Sequence, residues 1–343
     1  MAWTEERLNE LSTACQESVV LFAAAELEVF DALEAGELTA EQLAGRIDGD
    51  GRATATLADA LAAIGLLVKK GRGYRLAPGV AETLTRAGSA SQLAMIQHRG
   101  NCLRGWAQLA RAVRTGRPAD RGQSVRGGEA DRASFIEAME VASRQAAPVL
   151  VEAIGPPAFS HLLDVGGGPA TWTIAFLRAA AAESRATLYD LPSTLPIARK
   201  HLAAAGLLDR VDLVAGDFYA DAALPAGADL AWVSAIVHMN SRAQNRELFG
   251  KVHAALVPGG RILLRDIVMD ASRTDPPGGA MFAVNMLVNT PGGGTFTFQE
   301  LSEDLSAAGF AAPALLRRDA FMNSVVQATK GQSPARTSEQ LSR

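Results

Sequence analysis

Apolar side chains recur at helical spacing through Leu8, Leu11, Val19, Leu21, Phe22, Leu27, Phe30 and Leu33, and Gly36 ends the run. Thr4 precedes it as a hydroxyl cap, with Glu5 and Glu6 in the first turn, where acidic groups suit the helix dipole. Thr39-Ala40-Glu41-Gln42 opens a second helix, because a capping hydroxyl is followed three residues on by a side-chain acceptor. A third helix is predicted from about Ala53 to Ile64, closing at Gly65. Leu66–Lys70 and Tyr74–Leu76 then flank Gly71-Arg72-Gly73 as two short strands about a glycine turn. Three helices followed by a hairpin is the pattern of a winged helix.

After Pro148 the period changes. Strands are predicted at His161–Val165, Ala186–Asp190, Val211–Ala215, Leu230–Val233 and Arg261–Val268. Helices Trp172–Ala182, Leu195–Ala205 and Ala243–Leu256 alternate with them. A helix Glu300–Ala308 and strands near Ala314–Arg317 and Ser324–Thr329 complete the set. Such alternation predicts an α/β fold, a Rossmann-like parallel sheet with helices on both faces. The reading divides the chain into a mainly helical winged-helix domain over 1–150, an α/β domain over 151–330 and a Ser/Gln/Arg-rich disordered tail over 331–343.

Composition narrows the function classes. The chain has 343 residues, 48% of them hydrophobic, with 33 basic against 37 acidic side chains. A net charge of −4 offers nucleic acid and anionic membrane no global attraction. Seven arginines lie between Arg99 and Arg126 against the single acid Asp120, yet the would-be recognition helix 53–64 carries Asp59 and no base. Reading base edges needs several Arg, Lys, Asn or Gln side chains there, so the arginines read as a solvated face and no nucleic-acid partner is expected. Two cysteines, Cys15 and Cys102, form neither a disulfide framework nor a Cys-rich metal site, and no metal is expected. The polar, acidic start and the lack of a long apolar run predict no signal peptide, no membrane association and a cytoplasmic location.

In an open α/β sheet the ligand binds at the carboxyl ends of the strands. Those ends carry Asp164 with Gly166-Gly167-Gly168, then Asp190, then Gly216-Asp217-Phe218. Asp190 follows the glycines by about 20 residues, the spacing of a carboxylate that binds ribose hydroxyls. A dinucleotide fingerprint would need Gly or Ala at position 171, where Thr171 stands. The rim also offers carboxylates and no loop Lys or Arg, the wrong charge for a pyrophosphate. A ligand with ribose, adenine and positive charge but no phosphate suits it, and S-adenosylmethionine is such a ligand.

Taken in order, Leu163-Asp164-Val165-Gly166-Gly167-Gly168, Tyr189-Asp190-Leu191-Pro192, Gly216-Asp217-Phe218 and Leu256-Val257-Pro258-Gly259-Gly260 resemble a known motif series. It is that of the S-adenosylmethionine-dependent small-molecule O-methyltransferases of the plant caffeate/acetylserotonin type and their bacterial natural-product relatives. Ala25–Phe30 and Phe135–Met139 resemble the same family, so the likeness spans residues 10 to 330 or so. The resemblance implies a class I methyltransferase sheet, a winged-helix dimerisation domain and a homodimer formed through it. It places Gly166 and Gly168 against the methionine part of the cofactor, Asp190 on the ribose with Leu191 beside the adenosine, and Asp217 and Phe218 at the adenine. Ser143 matches a position near the cofactor carboxylate, and Ser234, where plant members have lysine, is assigned to cofactor binding. Phe135 and Met139 match positions lining the acceptor pocket; Asn285 and Asn289 are polar groups in an apolar stretch expected to face the small-molecule acceptor.

The catalytic candidate is His238, just past the fourth predicted strand, where it aligns with the family's histidine. A phenol with pKa near ~10 is a poor nucleophile at neutral pH, and an imidazole near ~6.5 can take its proton as the new bond forms. The chain departs from the family around it. Met239-Asn240 replaces Asp-Trp, and the two glutamates that orient the histidine fall near Arg265-Asp266 and Thr295. The base therefore lacks an orienting carboxylate unless Asp266 supplies one. Transfer to carbon or nitrogen, non-catalytic use of the cofactor and a DNA-binding regulator are the alternatives to methylation of a hydroxyl.

Overall fold

The computed structural model describes residues 2–118, 120–155 and 158–332; the tail expected to be disordered lies, from residue 333 on, outside the described residues. The chain divides into two compact units, Met1–Ala107 with Asp120–Ala142, and Gln108–Ala119 with Ser143–Arg343.

The first unit begins with α1 (Glu5–Thr13), α2 (Cys15–Glu26) and α3 (Val29–Ala32), where periodicity predicts one helix to Gly36. The run breaks because Glu28 adopts a left-handed φ of 57°, turning the chain before Val29 and Phe30 enter the core. The winged helix follows: β1 (Leu38–Thr39), α4 (Ala40–Ile47), α5 (Gly51–Ala63), β2 (Leu67–Lys70) and β3 (Gly73–Leu76). Thr39 and Gln42 form the expected capping box on α4. Asp59 on α5 accepts from Lys69 Nζ at 2.5 Å and from the Tyr74 hydroxyl at 2.7 Å, so it anchors the wing. Next come α6 (Val80–Leu84), α7 (Leu93–Trp106), α8 (Leu109–Thr115) and α9 (Gly128–Ser143); α8 belongs to the second unit. Phe30, Leu33, Leu43, Leu61, Leu67 and Tyr74 centre the core. Within the arginine-rich stretch, Arg104 pairs with Glu26 at 2.5 Å and Arg126 with Glu28 at 3.5 Å, so these two arginines hold the unit together.

The second unit continues with α10 (Ala146–Ala153), β4 (His161–Val165), α11 (Thr171–Ala179), β5 (Arg185–Asp190), α12 (Leu195–Ala204), β6 (Val211–Ala215) and β7 (Ala228–Ser234). Then follow α13 (Arg242–Ala255), β8 (Leu256–Asp266), β9 (Val268–Met269), α14 (Pro277–Asn289), β10 (Phe296–Thr297), α15 (Phe298–Ala307), β11 (Phe310–Arg317) and β12 (Ser324–Lys330). The sheet runs β11-β12-β8-β7-β4-β5-β6. Strands β6, β5, β4, β7 and β8 are parallel; β12 runs antiparallel to β8, and β11, antiparallel to β12, points the same way as the other five, so the sheet is mixed through β12 alone. Strand alternation sends Leu163, Val165, Val233 and Leu264 into one core with α13 and α15. Leu162, Leu188, Trp232 and Leu263 enter the other, with α10, α11 and α12. From β4 the chain passes first to β5 and β6 and then crosses to β7, which opens a topological switch point between β4 and β7.

Candidate active site

At that switch point the chain leaves β4 through a tight glycine turn. Gly166 N–H donates to the Tyr189 carbonyl at 2.8 Å, and Gly166 and Gly168 take φ of 67° and 55°. A Cβ on Gly166 would meet Ile236 Cδ1 at 2.7 Å, so packing as well as backbone freedom demands glycine there. Beyond Gly168 a Cβ would meet nothing within 4 Å, which leaves bare backbone facing open space. Asp190 closes the turn from β5: its carboxylate accepts from Gly168 N–H at 2.8 Å and Leu191 N–H at 2.6 Å, with Leu191 exposed beside it. At the end of β6, Asp217 accepts from Tyr219 N–H at 2.8 Å, and the Phe218 carbonyl accepts from Lys251 Nζ at 2.8 Å.

Asp164 is not part of this rim. It is buried beneath the loop on the α11 face, accepting from the Thr173 hydroxyl at 2.5 Å. Burial is the main cause that pushes its carboxyl up to about 7, with the Asp190 charge adding to the rise. The rim charge expected from three carboxylates thus comes from Asp190 and Asp217.

Past β7 the chain makes a short 3-10 turn, Val237–Met239, that buries His238. Its Nδ1 lies 2.9 Å from both oxygens of Asp266, and its backbone N–H points at the same carboxylate at 3.4 Å. A carboxylate only accepts, so Nδ1 carries a proton, and in the neutral ring the lone pair sits on Nε2. The edge of Phe282 from α14 packs on the imidazole at 4.9 Å between ring centroids. Below it the Gly294 N–H donates to the His238 carbonyl at 2.8 Å, and a Cβ on Gly293 would meet that oxygen at 2.4 Å. Asp266 thus supplies the orienting carboxylate one residue beyond the expected position. It can do so because side chains alternate along β8: Asp266 faces His238, and Arg265 points to the opposite face. The second glutamate position holds Thr295, a buried residue whose carbonyl accepts from Arg273.

The remaining sequence candidates divide by location. Ser234 sits at the end of β7 and accepts from Arg265 Nη1 at 3.1 Å. Ser143 is buried at the end of α9, where the second unit begins. Asn285 and Asn289 lie on α14, a helix that periodicity did not predict. The Asn289 amide donates to the Asn285 carbonyl and side chain at 2.8 Å, leaving its own Oδ1 buried without a partner among the described residues. Phe135 and Met139 lie on α9 in the first unit, where the half-exposed Phe135 ring packs 5.1 Å from His98. Burial and the nearby Arg121 and Arg99 push His98 down to about 4, so it is neutral. Sequence reasoning missed Phe282 and gave Arg265, named only at a glutamate position, no role of its own; an arginine in an otherwise apolar strand was the available signal.

A doubly wound sheet whose switch point carries bare glycine backbone and two part-exposed carboxylates, free of basic side chains in the loop, defines a nucleoside-binding domain of the class I methyltransferase type. The comparisons agree. Residues 106–311 match the O-methyltransferase domain family and residues 9–87 the O-methyltransferase dimerisation domain. The chain belongs to this O-methyltransferase family. It is 31% identical to 3-hydroxy-5-methyl-1-naphthoate 3-O-methyltransferase of Streptomyces sahachiroi, over 88% of each chain. It is also 31% identical to the tetracenomycin polyketide synthesis 8-O-methyl transferase of Streptomyces glaucescens, over 88% of this chain and 90% of that one. The solved structure of human N-acetylserotonin methyltransferase in complex with S-adenosylmethionine superposes with a TM-score of 0.76 at 25% identity, covering 97% of this chain and 100% of that one. The protein is an S-adenosylmethionine-dependent O-methyltransferase. The residues at the rim fit that cofactor: Gly168 leaves room for close approach, and each Asp190 oxygen, bonded once, keeps a further acceptor site for a hydroxyl. No helix among the described residues is long and apolar enough to cross a membrane.

Proposed function

We propose that the chain methylates a phenolic hydroxyl on a small aromatic, polyketide-like metabolite, with His238 as the general base. The observation that carries this reading is the buried His238–Asp266 pair, 2.9 Å apart, beside the nucleoside rim. When bound, S-adenosylmethionine would supply the methyl group from its sulfonium, the S–CH3 bond breaking to release the neutral thioether S-adenosylhomocysteine, a good leaving group. His238 Nε2 takes the acceptor's O–H proton as the oxygen–methyl bond forms, and Asp266 stabilises the resulting imidazolium through Nδ1–H. Phe282 and the Gly293-Gly294 turn hold the ring in place and keep water from it. The rest of the rate comes from holding nucleophile and methyl carbon in line. Asp190 binds the ribose hydroxyls with Leu191 alongside; Asp217 and Phe218 hold the adenine; Gly166, Gly168, Ser143 and Ser234 face the methionine part. Asn285 and Asn289 are offered to the acceptor, and the assignment of Phe135 and Met139 to it rests on the family resemblance.

The two Streptomyces relatives act, by name, on a hydroxynaphthoate and in polyketide synthesis, which favours a fused aromatic acceptor. A homodimer through the first unit belongs to the same proposal, supported by the exposed Trp3, Leu8, Leu11 and Val19 on and beside α1 and α2. The test is turnover of labelled S-adenosylmethionine with hydroxynaphthoates and related phenols. Label appearing in a methyl ether supports the reading; label on carbon or nitrogen, or none with any phenol, overturns it.

A further inference from the structure

Arg265 is buried, at 5% exposure, on the α11 face of the sheet. Burial pushes its guanidinium down to about 10, so it stays charged at neutral pH. Nε and Nη2 donate to Asn323 Oδ1 at 2.9 and 2.8 Å, Nη1 donates to Ser234 Oγ at 3.1 Å, and the guanidinium stacks 4.5 Å over the Trp172 ring. Among the described residues it forms no ion pair with a carboxylate. Asp266 and Asp319 act on it only at longer range, and a buried cation with no carboxylate paired to it directly marks a place where an anion is expected.

Ser234 shows which way that charge is turned. It pairs in register with Arg265 on β8, directly after Val233, the partner of Val165 on β4. Ser234 therefore sits at the sheet edge beside Gly166. A hydroxyl that accepts from a guanidinium keeps its own proton to donate, and the cation polarises it into a stronger donor. At the start of α11 the buried Thr171 hydroxyl has no partner among the described residues, and no side chain caps that helix. Two hydroxyls, a helix N-terminus and a cation thus flank the glycine turn.

The rim order then identifies the ligand group. Asp217 ends β6, Asp190 ends β5, the glycine turn ends β4 and Ser234 ends β7, on neighbouring strands about 4.8 Å apart. With adenine at Asp217 and ribose at Asp190, the amino-acid tail of the cofactor extends over β4 and β7. That tail ends in an ammonium and a carboxylate, and a hydroxyl backed by a cation suits the carboxylate and disfavours the ammonium. We infer that Arg265 is a positioning residue, acting through Ser234, that fixes the carboxylate of the cofactor's methionine moiety. This rests on the cofactor reading of the rim given above.

The test compares two nucleosides that differ in the tail bearing that carboxylate. S-adenosylhomocysteine carries the amino-acid tail; 5′-methylthioadenosine lacks it. Calorimetric Kd values are measured for the wild type, Arg265→Met, Arg265→Lys, Ser234→Ala and the Arg265→Met/Ser234→Ala double variant. Arg265→Met is expected to weaken S-adenosylhomocysteine about tenfold or more while 5′-methylthioadenosine moves less than about twofold. Arg265→Lys recovers part of the loss, and Ser234→Ala leaves the arginine change little further to remove. Equal weakening of both nucleosides, or an unchanged Kd for S-adenosylhomocysteine, overturns the inference. If Arg265→Met does not fold, Arg265→Lys and Ser234→Ala decide, and no selective loss in either overturns it. A wild type that binds neither nucleoside overturns the cofactor reading itself, a result distinct from wild-type binding without selectivity.

Discussion

The two halves of the sheet rim hold their carboxylates in opposite ways. On the β5–β6 side, Asp190 and Asp217 are part-exposed and accept hydrogen bonds from backbone N–H groups of the rim loops, Gly168 and Leu191 for the first and Tyr219 for the second. On the β7–β8 side, Asp266 is 2% exposed and spends both oxygens on His238 and the adjacent backbone. The first arrangement leaves charge and lone pairs facing outward, as a ligand site needs. The second turns them inward, as a group that orients another side chain needs. On the proposed reading, the rim separates binding from proton handling by burial, and each half is expected to have its own kinetic signature.

The largest effect belongs to the inward half. His238→Ala is expected to lower kcat by about 10²–10⁴-fold, the range of general base catalysis, while the Kd for S-adenosylhomocysteine stays near the wild-type value. Stopped turnover assays beside calorimetry check both numbers; unchanged kcat would reduce His238 to packing. Asp266→Asn keeps the shape but removes the charge that selects the Nδ1–H tautomer, so kcat should fall about ten- to hundredfold with little change in cofactor KM. On the outward half the pattern reverses. Asp190→Asn should raise the cofactor KM about tenfold or more, the worth of a charge-assisted hydrogen bond, and leave kcat within about threefold. A variant of either half that shows the other half's signature would dissolve the distinction.

Much of this division was legible in the chain, because it rests on local rules. Glycines at a strand end, a carboxylate at ribose spacing and a histidine past the fourth strand need only the alternation of strands and helices to be placed together. Three things were not legible. The first helix splits at Glu28, whose left-handed φ of 57° follows from packing Val29 and Phe30 rather than from its own preference. Helix α14 carries Phe282 against His238, yet Pro277-Gly278-Gly279 at its start and Asn285 and Asn289 within it hid its period. Its Gly279 is set by contact: a Cβ there would meet Met269 Sδ at 2.3 Å, a long-range neighbour that spacing does not reveal. The third is depth. Asp164, Asp190 and Asp217 each read as a rim carboxylate, and only the strand's seating showed that Asp164 lies beneath the loop.

That depth has a consequence in stability, the smallest effect expected. The Asp164 carboxyl, raised to about 7 by burial, holds its proton in the folded chain over a range where the unfolded chain has lost it. The unfolded state then binds fewer protons, so stability falls as pH rises from about 4 toward 7, with a slope of at most about 1.4 kcal/mol per pH unit. Above the folded value both states are ionised and the contribution is level. Asp164→Asn has no proton to lose and its carbonyl still accepts from the Thr173 hydroxyl, so its Tm should change less with pH across that window than the wild type's. Asp190→Asn makes the informative control. The Asp190 charge is one of the causes that raise Asp164, so removing it should move the wild-type transition to lower pH without abolishing it. Thermal melts of the three proteins from pH 4 to 8 measure this directly. Parallel curves for wild type and Asp164→Asn would mean that the carboxyl beneath the loop titrates alike in folded and unfolded chains, and that burial does not set it apart from the two on the rim.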